Sequence, residues 1–108
     1  MHLVRLDALN LRDTLNVDIS FDPAKRAITL RERGLDFADA GLVFAREVAT
    51  DQDTRRDYGE DRYITAGYLG DRMVVMVWTP RPGARHIISM RYCHDREESL
   101  WQSRMGRS

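Results

Sequence analysis

The segment that most constrains this chain is Met73-Val74-Val75-Met76-Val77-Trp78, an unbroken apolar run between two turn signals. Gly70-Asp71 precedes it, and Pro80, Pro82 and Gly83 follow it. A short run bounded by turn residues and rich in β-branched side chains reads as a strand. Because it does not alternate, it must be covered on both faces, which puts it in the middle of a sheet. At 108 residues and 43% hydrophobic side chains, the chain has material for one such core and not for two.

The flanks supply the rest of the sheet. Tyr63 to Leu69 alternates and reaches the central run through Gly70-Asp71, and His86 to Arg91 forms the last strand. Val17 to Phe21 predicts a first strand, and Val48 to Thr54 a weak edge strand before a polar loop from Arg55 to Asp61. Between them, Asp22-Pro23 places a capping carboxylate before a proline at the first helical position. That helix is expected to run to about Arg33, with Ala24, Ala27, Ile28 and Leu30 inward and Gly34 ending it. Asp36 caps a second helix, on which Phe37, Ala40, Gly41 and Phe44 form an apolar stripe. A third helix begins near Asp95, with Glu97, Leu100, Trp101 and Arg104 on one face. The expected domain is α+β: an antiparallel sheet with two N-terminal helices and one C-terminal helix packed on it. Residues 1–16 show no pattern tying them to this core and read as an N-terminal extension of a domain spanning 17–105.

The 17 basic and 17 acidic residues cancel, but they are unevenly placed. Acidic residues predominate before Arg62 and basic ones after it, and from Arg72 to His94 there are four arginines and no carboxylate. Lys25 is the one lysine; every other basic residue is arginine, whose planar fork suits phosphate. This split permits RNA binding and equally describes ordinary solvated strand faces. His2, His86 and His94 lack metal-ligand spacing and have no acidic cluster beside them, so no metal or cofactor is expected. The single Cys93 cannot form an internal disulfide, and Arg5 and Asp7 interrupt any membrane-length run near the start. The expectation is a cytoplasmic protein with no membrane partner.

Five pieces occur in a distinctive order: Asp22-Pro23-Ala24-Lys25; Gly34 to Ala40 followed by Val43-Phe44; Arg62 with Gly67; Val74 to Thr79; and Ile87-Ile88-Ser89-Met90-Arg91 with Glu97 downstream. Together, over roughly residues 18–101, they resemble the BrnT family of toxin–antitoxin ribonucleases. The resemblance implies a RelE-like fold and metal-independent endonucleolytic cleavage of RNA, inhibiting translation. It also implies neutralisation by a cognate BrnA-like antitoxin with a ribbon-helix-helix domain, so that operator DNA is reached only through the antitoxin. The chain departs from the family pattern at Glu32-Arg33, where Lys-His is usual, and at Thr29, where asparagine is frequent. It departs again at His86, with Arg85 displaced by one position, and at Trp101, where tyrosine is usual.

A metal-free ribonuclease must activate a 2′-hydroxyl, stabilise charge on the phosphate and protonate the leaving oxygen. Arg62 and Arg91 occupy motif positions and are the expected phosphate clamps, with Lys25 and His86 as further catalytic candidates. Arg85, Arg81 and Arg72 are expected RNA contacts, and strict alternation would put Arg85, Ile87, Ser89 and Arg91 on one face. Surface ion pairing is the competing reading for these arginines, and an exposed first-turn lysine for Lys25. The alternative function is a catalytically weak protein of the same fold that serves as antitoxin-binding module and co-repressor.

Overall fold

A computed structural model describes residues 17–105; the expected extension 1–16 lies outside the described residues. Its elements are β1 (Asp18–Phe21), α1 (Pro23–Arg33), a 3-10 turn (Phe37–Asp39), α2 (Ala40–Phe44), β2 (Val48–Gln52), β3 (Tyr63–Leu69), β4 (Arg72–Arg81), β5 (Ala84–Tyr92) and α3 (Asp95–Gln102). The domain is α+β, with five strands in the order β1-β5-β4-β3-β2. The helices carry the chain from one sheet edge to the other, and β3, β4 and β5 then walk back antiparallel. The sheet is mixed rather than wholly antiparallel, because the last strand of that walk arrives running parallel to β1.

β4 sits at the centre, as its unbroken apolar run requires. On one face Val74 and Met76 pack with Ile87, Met90, Leu35, Phe37, Ala40 and Val43. On the other, Met73, Val75 and Ala66 lie beneath Trp101 and Met105. Gly67 on β3 lets α2 and β2 close on the sheet. A Cβ there would stand 2.7 Å from Val43 Cγ1 and 2.8 Å from Val48 Cγ1.

Two local expectations are corrected. α1 has the expected ends: Asp22 accepts from Ala24 N at 2.9 Å, and Gly34 adopts φ 69°. It buries no residue, however; Ala24 and Ala27 are exposed, and Ile28 and Leu30 are each 45% exposed. The cause is topological. β1 covers β5 only as far as Ile87, and α1 continues from β1 alongside the remaining edge, where Arg33 Nη1 donates to Met90 O at 2.9 Å. The second helix opens as a 3-10 turn, capped by Asp36, whose Oδ1 accepts from Ala38 N. Val43, not Gly41, continues its buried stripe from Phe37 and Ala40. Arg26 forks onto Asp36 at 2.8 and 2.9 Å, bracing the corner between the helices. With that guanidinium and the Ala38 N–H, the Asp36 carboxyl falls to about 2.

Strict alternation also fails in β5. Val77 pairs with Ser89 but Trp78 pairs with Ile87, so Ile88 is an extra residue, a β-bulge. Arg85 and Ile87 therefore share the helix face with Trp78, while Ser89 and Arg91 point to the opposite face.

Candidate functional site

Among the described residues, the sheet face away from α1 and α2 is only partly covered. Trp101 and Met105 anchor α3 over Ala66, Met73 and Val75. Register aligns Ile64, Val77 and Ser89 across three strands, with Ala66, Val75 and Arg91 in the next row. These rows floor an open cleft of about 250 Å³, walled by Trp101, Arg55 and Glu97.

Arg91 is the best-oriented cation there. Its Nη1 donates to Glu97 Oε1 at 2.8 Å and its Nη2 to Oε2 at 2.7 Å, a two-pronged charge-assisted pair. Glu97 also accepts from His94 N at 3.3 Å, so the carboxylate both ends the strand-to-helix turn and aims the guanidinium. The Arg91 fork, against a smaller opposing effect of burial, holds the Glu97 carboxyl at about 2, and Glu97 raises the Arg91 pKa. Cys93 Sγ lies 3.4 Å from Glu97 Oε1; burial first and that carboxylate second push the thiol up to about 11. A thiol held protonated in this way is no nucleophile.

The polar segment from Asp53 to Arg62 forms an arm beside the cleft. Its root is Asp53, whose fully buried carboxylate takes a fork from Arg55 at 2.8 Å on each oxygen and a hydroxyl from Tyr58 at 3.1 Å. Those donors, led by Arg55, hold the Asp53 carboxyl far below its ordinary range despite burial. Its neck closes where Asp53 N donates to Arg62 O at 2.7 Å and Thr79 Oγ1 to Asp61 O at 2.7 Å. Arg62 lies over the Tyr58 ring at 4.1 Å and pairs with Glu60 at 3.3 Å; Glu60 also takes Arg81 at 3.1 Å.

The other candidates scatter. His86 lies two positions along from Ser89's row on the cleft face, its Nδ1 2.9 Å from Ser20 Oγ. Lys25 lines an adjoining hollow of about 180 Å³ with Thr29, Arg33 and Ile88; Ser89 borders both cavities. Arg85 lies on the opposite face, 4.2 Å over Phe44 and 5.5 Å from the Trp78 centroid, and burial lowers its pKa. Arg72, 3.6 Å over Tyr92, and Arg81 occupy opposite ends of β4, roughly 30 Å apart at strand rise. The stretch from Arg72 to Arg91 is thus not one basic patch: the bulge and the length of β4 divide it. Arg55, which lines the cleft, has no strong signal in the sequence. The only pointer is the Asp53-x-Arg55 spacing, ordinary in a polar loop.

Among the described residues no group of three His, Cys, Asp or Glu side chains could hold a metal ion. No helix among them is long and apolar enough to cross a membrane. Comparison with curated proteins finds no match. A family model described as ribonuclease toxin, BrnT, of type II toxin-antitoxin system matches residues 21–97, from the end of β1 to the carboxylate that aims Arg91.

Proposed function

Because the chain belongs to the BrnT family of ribonuclease toxins of type II toxin–antitoxin systems, we propose that it is a metal-independent endoribonuclease working from the cleft that Arg91 borders. Such a toxin acts on RNA and has an antitoxin partner; we take that partner to be a BrnA-like ribbon-helix-helix protein that alone contacts operator DNA. The toxin domain is residues 17–105, and its substrate, RNA whose loss stops translation, sets the cytoplasm as its place of work.

The observation that carries this reading is the Arg91–Glu97 fork at the rim of an open cleft with an aliphatic floor. A guanidinium already oriented needs no reorganisation when charge develops on a phosphate undergoing attack. Glu97 positions it. A carboxylate near 2 is too weak a base to activate a 2′-hydroxyl at neutral pH, where a useful base titrates near the working pH. We assign proton transfer to His86, whose Nδ1 lies 2.9 Å from Ser20 Oγ. Lys25, reached past Ser89, adds positive charge beside the substrate. Arg62 and Arg81, tied to Glu60, extend the basic rim; Arg85 and Arg72 do not reach it.

The test is cleavage of total RNA by purified, antitoxin-free protein with and without EDTA. Cleavage that EDTA abolishes would overturn the mechanism. The second reading, a binding module with weak catalysis, is favoured by one observation: Arg85, displaced from the family's arginine position, faces away from the cleft. A folded protein that binds its antitoxin but leaves RNA intact, alone and with ribosomes, would put that reading ahead.

A further inference from the structure

We propose that the cleft receives one unpaired nucleotide of an RNA strand, its phosphate held between Arg55 and Arg91 and its base against Ile64 and Val77. The inference rests on the ribonuclease reading for its substrate and adds a residue and a strand state to it.

Arg55 and Arg91 line the same cleft, one from the arm and one from β5. Each is held by a two-pronged carboxylate, Arg55 side-on through Nε and Nη2 by Asp53, and Arg91 end-on through Nη1 and Nη2 by Glu97. Each lock leaves donors over. Arg55 Nη1 and Arg91 Nε have no acceptor among the described residues, and the Arg55 side chain is 69% exposed. The two cations are close enough that the charge on Arg55 opposes the charge on Arg91. An anion between them removes that repulsion and meets both free edges. Because both side chains are already ordered, little rotamer freedom remains to be lost on binding.

The floor says what accompanies the anion. Ile64 and Val77 are half-buried aliphatic side chains in a cleft whose walls carry charge, and nothing among the described residues covers them further. Trp101 forms a wall, but Arg104 lies 5.2 Å over its ring, so a base packs on the aliphatic floor rather than on the indole. At about 250 Å³ the recess is below the ~300–1,000 Å³ of a pocket for a whole small-molecule ligand. It admits a base with its phosphate and excludes a base pair. Duplex RNA keeps its bases stacked inside an A-form helix, so only a splayed single strand fills the recess.

The probe is a short fluorescein-labelled 2′-O-methyl RNA, which lacks the attacking hydroxyl, offered alone or annealed to its complement. Anisotropy is expected to give at least ~10-fold tighter binding of the single strand, and Arg55→Ala to weaken it ~10–100-fold through loss of charge-assisted hydrogen bonds. Arg55→Lys keeps a cation beside buried Asp53 should the alanine variant fail to fold. It is expected to lose most of the affinity, since one ammonium cannot hold Asp53 and a phosphate together. Equal affinity for the duplex, or unchanged binding by both folded variants, overturns the proposal. Cleavage is read in parallel. Wild-type protein that binds single strands through Arg55 yet never cleaves counts against the ribonuclease reading alone; Arg55→Ala that cleaves with unchanged kcat/KM sinks the nucleotide receptor alone.

Discussion

Arg91 and Glu97 stand on successive elements, the last strand and the first turn of the last helix, and close on each other through two parallel hydrogen bonds of 2.8 and 2.7 Å. The pair is 38% and 28% exposed, so water competes for it and its contribution to stability is modest. Its value lies in fixing a guanidinium plane at the rim of the cleft.

Arg91→Ala should therefore cost activity far more than stability. Loss of about 2–4 kcal/mol of transition-state stabilisation corresponds to ~30–1,000-fold in rate. Arg91→Lys should recover part of it, keeping the charge without the fork. Glu97→Gln should lower kcat more than it raises KM, because the arginine remains but is no longer aimed. Single-turnover cleavage by variants checked for folding measures all three; full activity in Arg91→Ala would remove the site's central residue.

Acid should weaken the fold through the same carboxylate. The Glu97 pKa falls from 4.5 to about 2 in the folded chain, so its stabilisation is complete above the unfolded value. It is lost as the pH drops from about 4.5 towards 2, when the unfolded state binds the proton first. Asp53 acts in the same direction. Urea midpoints measured across this window should fall less steeply in Glu97→Gln than in wild type. Parallel curves would show that the fork contributes nothing to acid sensitivity.

Gly67→Ala should destabilise. Its new methyl would meet Val43 and Val48 side chains at under 3 Å, both held by packing, and overpacking of this kind costs about 1–3 kcal/mol. For a domain of this size each kcal/mol lowers Tm by ~4–8 °C. Adding Val48→Ala should restore part of the loss, giving a double mutant more stable than the sum of the singles predicts. Additive effects in calorimetry would mean that the contact is not the cause.

Arg85→Ala should separate the two faces of the sheet. It removes a cation over Phe44, worth roughly 0.5–1 kcal/mol of stability, and leaves the cleft untouched. Its kcat/KM on RNA should match wild type while Arg91→Ala loses activity. A comparable loss in both would mean that RNA crosses from one face to the other.

Much of this architecture is legible in the residues. The central strand announces itself because an apolar run without alternation has no stable place at an edge, and Asp22-Pro23 and Gly34 bound the first helix through local chemistry alone. What failed were inferences needing tertiary knowledge. The apolar side chains of α1 are set for a core, yet β1 is too short to leave the helix a face to bury, so Ile28 and Leu30 stay open. The period of two in β5 is true on each side of Ile88 and false across it. Arg55 could not be distinguished from its neighbour Arg56, because its partner Asp53 is marked out only by burial. Arg91 and Glu97 were visible as a spacing, but not as a pair.

The bulge at Ile88 also determines how β5 tolerates changes in length. Remove that one residue and the pairs Trp78–Ile87 and Val77–Ser89 become consecutive, so the strand regains a simple repeat with both halves facing as before. Arg85 and Ile87 then stay on the face of Phe37 and Val43, and Ser89 and Arg91 stay on the cleft. The Pro82-Gly83 turn nearby lies outside that bookkeeping of faces and can absorb an added residue without inverting anything. Between neighbouring segments of similar exposure, the chain thus carries a sharp boundary. An added residue is absorbed at the turn, whereas one added between Ser89 and Met90 turns Arg91 towards the layer of Phe37 and Val43 and Met90 into the cleft.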